Sequence, residues 1–290
     1  MRTALIASLI VLASCSAGSA RGTAALTDDF GDTIVVGSAP ERIVSLNPTT
    51  TEIAFALGWG RRLVGRTHWD VYPPEAKLVT DLGSGIRPNV EAVIGARPDL
   101  VLLYASSDNR PAAARLRAAG IRTLSLKVDR IPDFHRAVRL MGLVSGDTAK
   151  AAAVSDSVAR TLTRVRKETA ALPKPTVFWH IWDAPLITIG HGSYLDELIT
   201  IAGGANVYGD MSAPSPTVGI EDVLRRNPQY IIAGAEGAAK IKGDPRWSTL
   251  AAVKAGRVLV VDTSLVGRPS TRLGEAAVAL ASLLHPGAVH

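Results

Sequence analysis

The 290-residue sequence holds one cysteine, Cys15, which excludes any intramolecular disulfide. Charge is sparse as well: 20% of residues are charged and 47% are hydrophobic, which excludes a disordered chain and allows a sizeable core. The net charge of +6 raises nucleic acid as a partner, but no basic run interleaves with aromatics, so the basic residues read as a solvated surface. No Gly-x-Ser-x-Gly elbow, phosphate loop or His-Glu-x-x-His pattern occurs, and the six histidines lack a close pair at metal-ligand spacing. No catalytic residue and no metal ligand is therefore assigned, and a secreted metal-dependent enzyme or a free-zinc-binding protein stands only as an alternative.

Long apolar runs are missing too, apart from Ala4 to Ala13, which is too short to span a bilayer. With Arg2 before it, this stretch reads as the core of an export signal covering residues 1–20. Leu12-Ala13-Ser14-Cys15 looks like a lipobox, in which Cys15 would become the lipidated first residue; cleavage after Ala20 is the alternative. Either places the protein in the periplasm or on the extracellular face, and the first tethers it to a membrane. Residues 21–40 read as a polar leader.

What the sequence does have is a pattern written twice. Asn89-Val90-Glu91 leads through Pro98-Asp99 to the apolar Leu100–Leu103, and Gly219-Ile220-Glu221 leads through Pro228-Gln229 to Tyr230–Ala233. Each copy is a short helix, a proline stop and a buried strand, and each is followed by an Ala-Gly pair before another apolar run. Strands alternating with helices along the chain predict an α/β fold with largely parallel sheets. The repeat divides it into two lobes, residues 41–146 and 173–290. Residues 147–172 contain neither glycine nor proline, which predicts one linker helix about 35 Å long that resists large hinge motion. A ligand then belongs in the cleft between the lobes, at the carboxyl ends of the strands. A threonine among Thr49, Thr50 and Thr51 is expected to cap the helix that follows the first strand.

Ser45-Leu46-Asn47-Pro48-Thr49-Thr50-Thr51-Glu52, Asp70-Val71-Tyr72-Pro73-Pro74-Glu75-Ala76, the first repeat and Ala202-Gly203-Gly204-Ala205-Asn206-Val207 occur in an order and spacing that is specific. Over about residues 41–285 the chain resembles the cobalamin- and iron-chelate-binding proteins of bacterial ABC importers, most closely the cobalamin-binding members. The resemblance implies a monomeric binding protein, not an enzyme, with no cofactor of its own. It would capture a corrinoid, a ferric siderophore or haem and deliver it to a two-subunit permease. It implies further that Glu91 and Glu221 dock on arginines of the two permease subunits. Helix-dipole preference alone also accounts for a glutamate in a first turn, so the pairing of the two carries the weight.

The resemblance also implies ligand contacts, since in the cobalamin-binding relatives aromatic residues from loops line the cleft and an arginine in the loop after the last strand often faces the ligand; strand ends suggest others. Trp69 either stacks on a macrocycle or packs on Pro73 and Pro74; His68 is an axial metal ligand or a hydrogen-bonded structural residue. Tyr104 ends a strand facing the cleft, and Trp182 follows the first strand of the second lobe. Arg268 and Arg87 would suit an anionic group or a corrin amide, or are surface arginines. Where cobalamin-binding relatives carry tryptophans, this chain has the loops Gly83–Arg87 and Ser212–Pro216, without an aromatic. The chelate is therefore not settled, with cobalamin or another corrinoid favoured and a ferric siderophore or haem next.

Overall fold

The computed structural model describes residues 25–288; Cys15 and the export signal lie outside the described residues. Its first elements are β1 (Ala25–Thr27) and β2 (Thr33–Val35), an antiparallel hairpin where the sequence suggested only a leader. Buried Asp28 explains the difference. Its carboxylate accepts from the Phe30 and Asp32 amides to close the turn, and from the Ser125 amide to dock the hairpin on the first lobe.

The first lobe continues with β3 (Ile43–Ser45), α1 (Pro48–Ala56), β4 (Leu63–Gly65), α2 (Val90–Gly95), β5 (Leu100–Tyr104), α3 (Arg110–Ala118), β6 (Arg122–Leu126) and α4 (Ile131–Ser145). The four strands pair in parallel in the order β4-β3-β5-β6. α1 is capped by Asn47, not by a threonine: its side chain accepts from the Thr49 amide at 2.9 Å, and Pro48 fills the first helical position, where no backbone donor is needed.

α5 (Thr148–Thr169) leads into the second lobe: β7 (Thr176–Trp179), β8 (Trp182–Asp183), β9 (Leu186–Ile187), α6 (Tyr194–Ile201), β10 (Ala205–Asn206), α7 (Ile220–Arg226), β11 (Tyr230–Ala233), α8 (Ala235–Gly243), α9 (Ala251–Lys254), β12 (Val258–Val260), α10 (Thr263–Val266) and α11 (Leu273–Leu284). Its parallel sheet runs β10-β7-β11-β12, the first lobe's order repeated; β8 and β9 form a small separate hairpin. The doubled pattern is thus structural. Its helices α2 and α7 each deliver the chain into an interior strand, and in both the residue before the proline is left-handed, Arg97 at φ 50° and Asn227 at φ 42°. Gly120 and Gly256, also at positive φ, make the turns into the outermost strands β6 and β12.

Each sheet is buried on both faces. In β5, Leu100 and Leu102 point to one side and Val101 and Leu103 to the other, all fully buried, as a helix-covered parallel sheet requires. The inward faces of both sheets share one continuous apolar core that passes through α5. Ala151, Val158, Leu162, Val165 and Thr169 recur at helical spacing along its buried face, packed on α4 of one lobe and on α6 and α11 of the other. At about 1.5–3 kcal/mol per buried aliphatic side chain, this shared core opposes any rotation that would part the lobes. No helix among the described residues is long and apolar enough to cross a membrane.

Candidate functional site

Because both sheets are parallel, the loops at their carboxyl ends meet across the boundary between the lobes. They enclose a cavity of about 620 Å³. Tyr104, Asp129 and Arg130 contribute from the first lobe; His191, Tyr194 and Arg268 contribute from the second. A further cavity of about 510 Å³ lies against the second lobe, lined by Trp182, His180, Asp183 and Lys240, and shares Tyr194 and Gly267 with the first. The two are parts of one cleft.

Tyr104 stands at the end of β5, and its hydroxyl donates to Asp129 at 2.6 Å. Burial, then that carboxylate, raises its pKa, so the phenol stays protonated. Tyr194 donates its hydroxyl to the Val266 carbonyl, and burial raises its pKa too. In the adjoining cavity, buried His180 binds Asp183 at 2.8 Å, and Lys240 joins Asp183 at 2.9 Å and Glu236 at 2.7 Å. Trp182, 61% exposed, presents its ring beside them.

The floor is a polar contact between lobes. Arg268 reaches from the loop before α11 to Glu52 of α1, Nη1 to Oε1 at 3.4 Å, while Thr271 donates to Oε2 at 3.3 Å. Thr49 donates to the Pro269 carbonyl at 3.1 Å, and Arg272 lies 4.3 Å over the Tyr72 ring. Glu52 is buried with only 1% of its side chain exposed, and that burial raises its pKa against the pull of its hydrogen bonds and of Arg268. Asp70 is buried close by, held by the hydroxyls of Thr51 and Thr67 at 2.6 Å each; burial raises its pKa likewise, and Arg268 opposes the shift.

Of the candidates read from the sequence, Tyr104 and Arg268 come together in one cavity and Trp182 lines the adjoining one. His68 and Trp69 pack against each other with ring centroids 4.6 Å apart and a 55° tilt, on an exposed loop after β4, and line neither. Arg87 lines neither as well: its guanidinium is held by Asp108 at 2.7 Å, away from the cavity walls. Asp129 and Arg130, which follow β6 at its carboxyl end, were missed although the rule that found Tyr104 applies to them equally. Glu91 and Glu221 both occupy the second position of their helices, solvent-exposed on opposite lobes; Glu91 is paired with Arg115 at 2.7 Å. Among the described residues no group of three His, Cys, Asp or Glu side chains is placed to hold a metal ion.

A match to the periplasmic binding protein family spans residues 43–265, both sheets and the helix between them. The chain belongs to that family. It is 31% identical over 270 residues to an uncharacterised ABC transporter substrate-binding lipoprotein of Bacillus subtilis, covering 90% of this chain and 85% of that one. It is 28% identical over 246 residues to a vitamin B12-binding protein of Salmonella paratyphi A, covering 85% and 91%. Among solved structures, the periplasmic vitamin B12-binding protein of Vibrio cholerae superposes with a TM-score of 0.74 at 25% identity, covering 86% of this chain and 98% of that one.

Proposed function

We propose that this protein is the substrate-binding component of an ABC importer. It captures a metal chelate in the interlobe cleft and hands it to the permease. The observation that carries this is the cleft itself: walls from the carboxyl ends of two parallel sheets, on lobes whose shared core holds them in one juxtaposition. The family and the transporter relative support the role, and the vitamin B12-binding relatives favour a corrinoid over haem or a ferric siderophore. Tyr104 points the same way, since a phenol already committed to Asp129 favours hydrogen bonding over metal ligation.

Trp182, Tyr104 and Arg268, which line the cleft, would contact the chelate. Lobes of residues 41–146 and 173–290 would close only modestly about the helix of 147–172. Glu91 and Glu221 would dock on the two permease subunits, and lipidated Cys15 would tether a monomeric protein that has no enzymatic activity. Absorbance titration and native mass spectrometry of the mature protein against cyanocobalamin, haemin and a ferric siderophore test this. One-to-one binding of cyanocobalamin is expected; turnover of a substrate without binding of any chelate would overturn the proposal.

A further inference from the structure

The chain carries a net charge of +6, yet its cleft is not basic. Arg130, Arg268 and Lys240 are matched along the walls by Asp129, Asp183 and Glu236. Behind Arg268 stand two more carboxylates, Glu52 and Asp70, both buried in the first lobe. Arg272 also lies near Glu52, but it is bound to Glu275 at 2.9 Å and stacked on Tyr72. The guanidinium in the cleft therefore has two buried carboxyl groups on its far side, with Glu52 in direct contact at 3.4 Å.

Resting on the reading of the cleft as the chelate site, we propose that Glu52 is a specificity-determining residue that acts through Arg268. It neutralises the guanidinium from the opposite lobe, leaving a hydrogen-bond donor for uncharged acceptors such as carboxamides and removing its attraction for carboxylates. A ligand rich in amides keeps its hydrogen bonds there, whereas a ligand bearing several carboxylates exchanges its hydration for a site without net positive potential. Glu52 suits this role because Thr271 and the Arg268 guanidinium fix its two oxygens, so the compensating charge is held in place.

Two corrins isolate the effect: dicyanocobinamide, with peripheral carboxamides, and dicyanocobyrinic acid, with carboxylates at those positions. The wild-type protein is expected to prefer the amide form. Glu52→Gln keeps the side chain's shape and its acceptor for Thr271 while removing the charge. A carboxylate removed about 7 Å from a ligand anion, at an effective dielectric between that of protein and water, is worth about tenfold in affinity. Glu52→Gln should therefore bind the acid form about tenfold more tightly and leave the amide form within about twofold. Arg268→Gln alone, which leaves the Glu52 charge without its guanidinium, should move the ratio the other way, further toward the amide form. An equal loss for both corrins in Glu52→Gln would show a structural role only and overturn the proposal, as would wild-type affinity for the acid form equal to that for the amide form. Haemin binding with neither corrin bound would overturn it while the chelate-binding reading stands; binding of none of the three by wild type would sink both.

Discussion

Replacing Glu91 and Glu221 with alanine together would separate the proposed permease docking from ligand binding. Glu91 is 75% exposed and its Arg115 partner 63%, so the pair contributes about 0–1 kcal/mol to the fold. Each glutamate also lies in the first turn of a short helix, where the dipole interaction adds about 0.3–1 kcal/mol. Neither carboxylate borders the cleft. The double variant should consequently lose no more than about 3 kcal/mol of stability across the two sites and keep its ligand affinity. Against a permease, two charge pairs at about 1.5 kcal/mol each amount to roughly a hundredfold in docking affinity. Ligand uptake by proteoliposomes carrying the permease should collapse, while calorimetric titration of the isolated variant reproduces the wild-type dissociation constant. A fall in ligand affinity matching the fall in uptake would refute the reasoning, because it would put these carboxylates in the binding site.

Leu162→Ala in α5 should cost about 2–5 kcal/mol, read by denaturant unfolding, because this buried side chain sits in the core that both lobes share. Trp182→Ala removes an exposed ring and should change stability by less than about 1 kcal/mol while weakening ligand binding, measured by absorbance titration. Burial raises the pKa of Glu52, so its contribution to stability is fully present below the unfolded carboxylate value and is lost as pH rises through the folded value. Glu52→Gln should accordingly stabilise the protein more at pH near 8 than near 5, seen as a Tm difference that narrows on acidification.

The fold was legible because its signals are local. The Glu-to-Pro repeat, the strand periodicity and the run of 147–172 without a helix breaker each fall within a short stretch, and each corresponds to α2 and α7, the sheets and α5. The hairpin of β1 and β2 was not legible, since the residue that secures it, Asp28, finds its anchor 97 positions away at Ser125. Arg268 was found as a candidate, but its partner Glu52 lies 216 positions earlier in a stretch that reads as an ordinary first helical turn. The Arg87–Asp108 pair was equally hidden, because nothing in the Arg87 loop reveals the hold of Asp108. Polar contacts between lobes carry no periodicity, and a site assembled from them emerges only when the chain is folded.

Hydrogen–deuterium exchange of the mature protein, with and without cyanocobalamin, tests the central claim directly: that the chelate lies between the lobes. Protection should appear together at Val128–Arg130 of the first lobe and at His191–Tyr194 and Gly267–Pro269 of the second, the segments that line the shared cavity. Protection confined to one lobe, or absent from these segments while cyanocobalamin is bound, would contradict it.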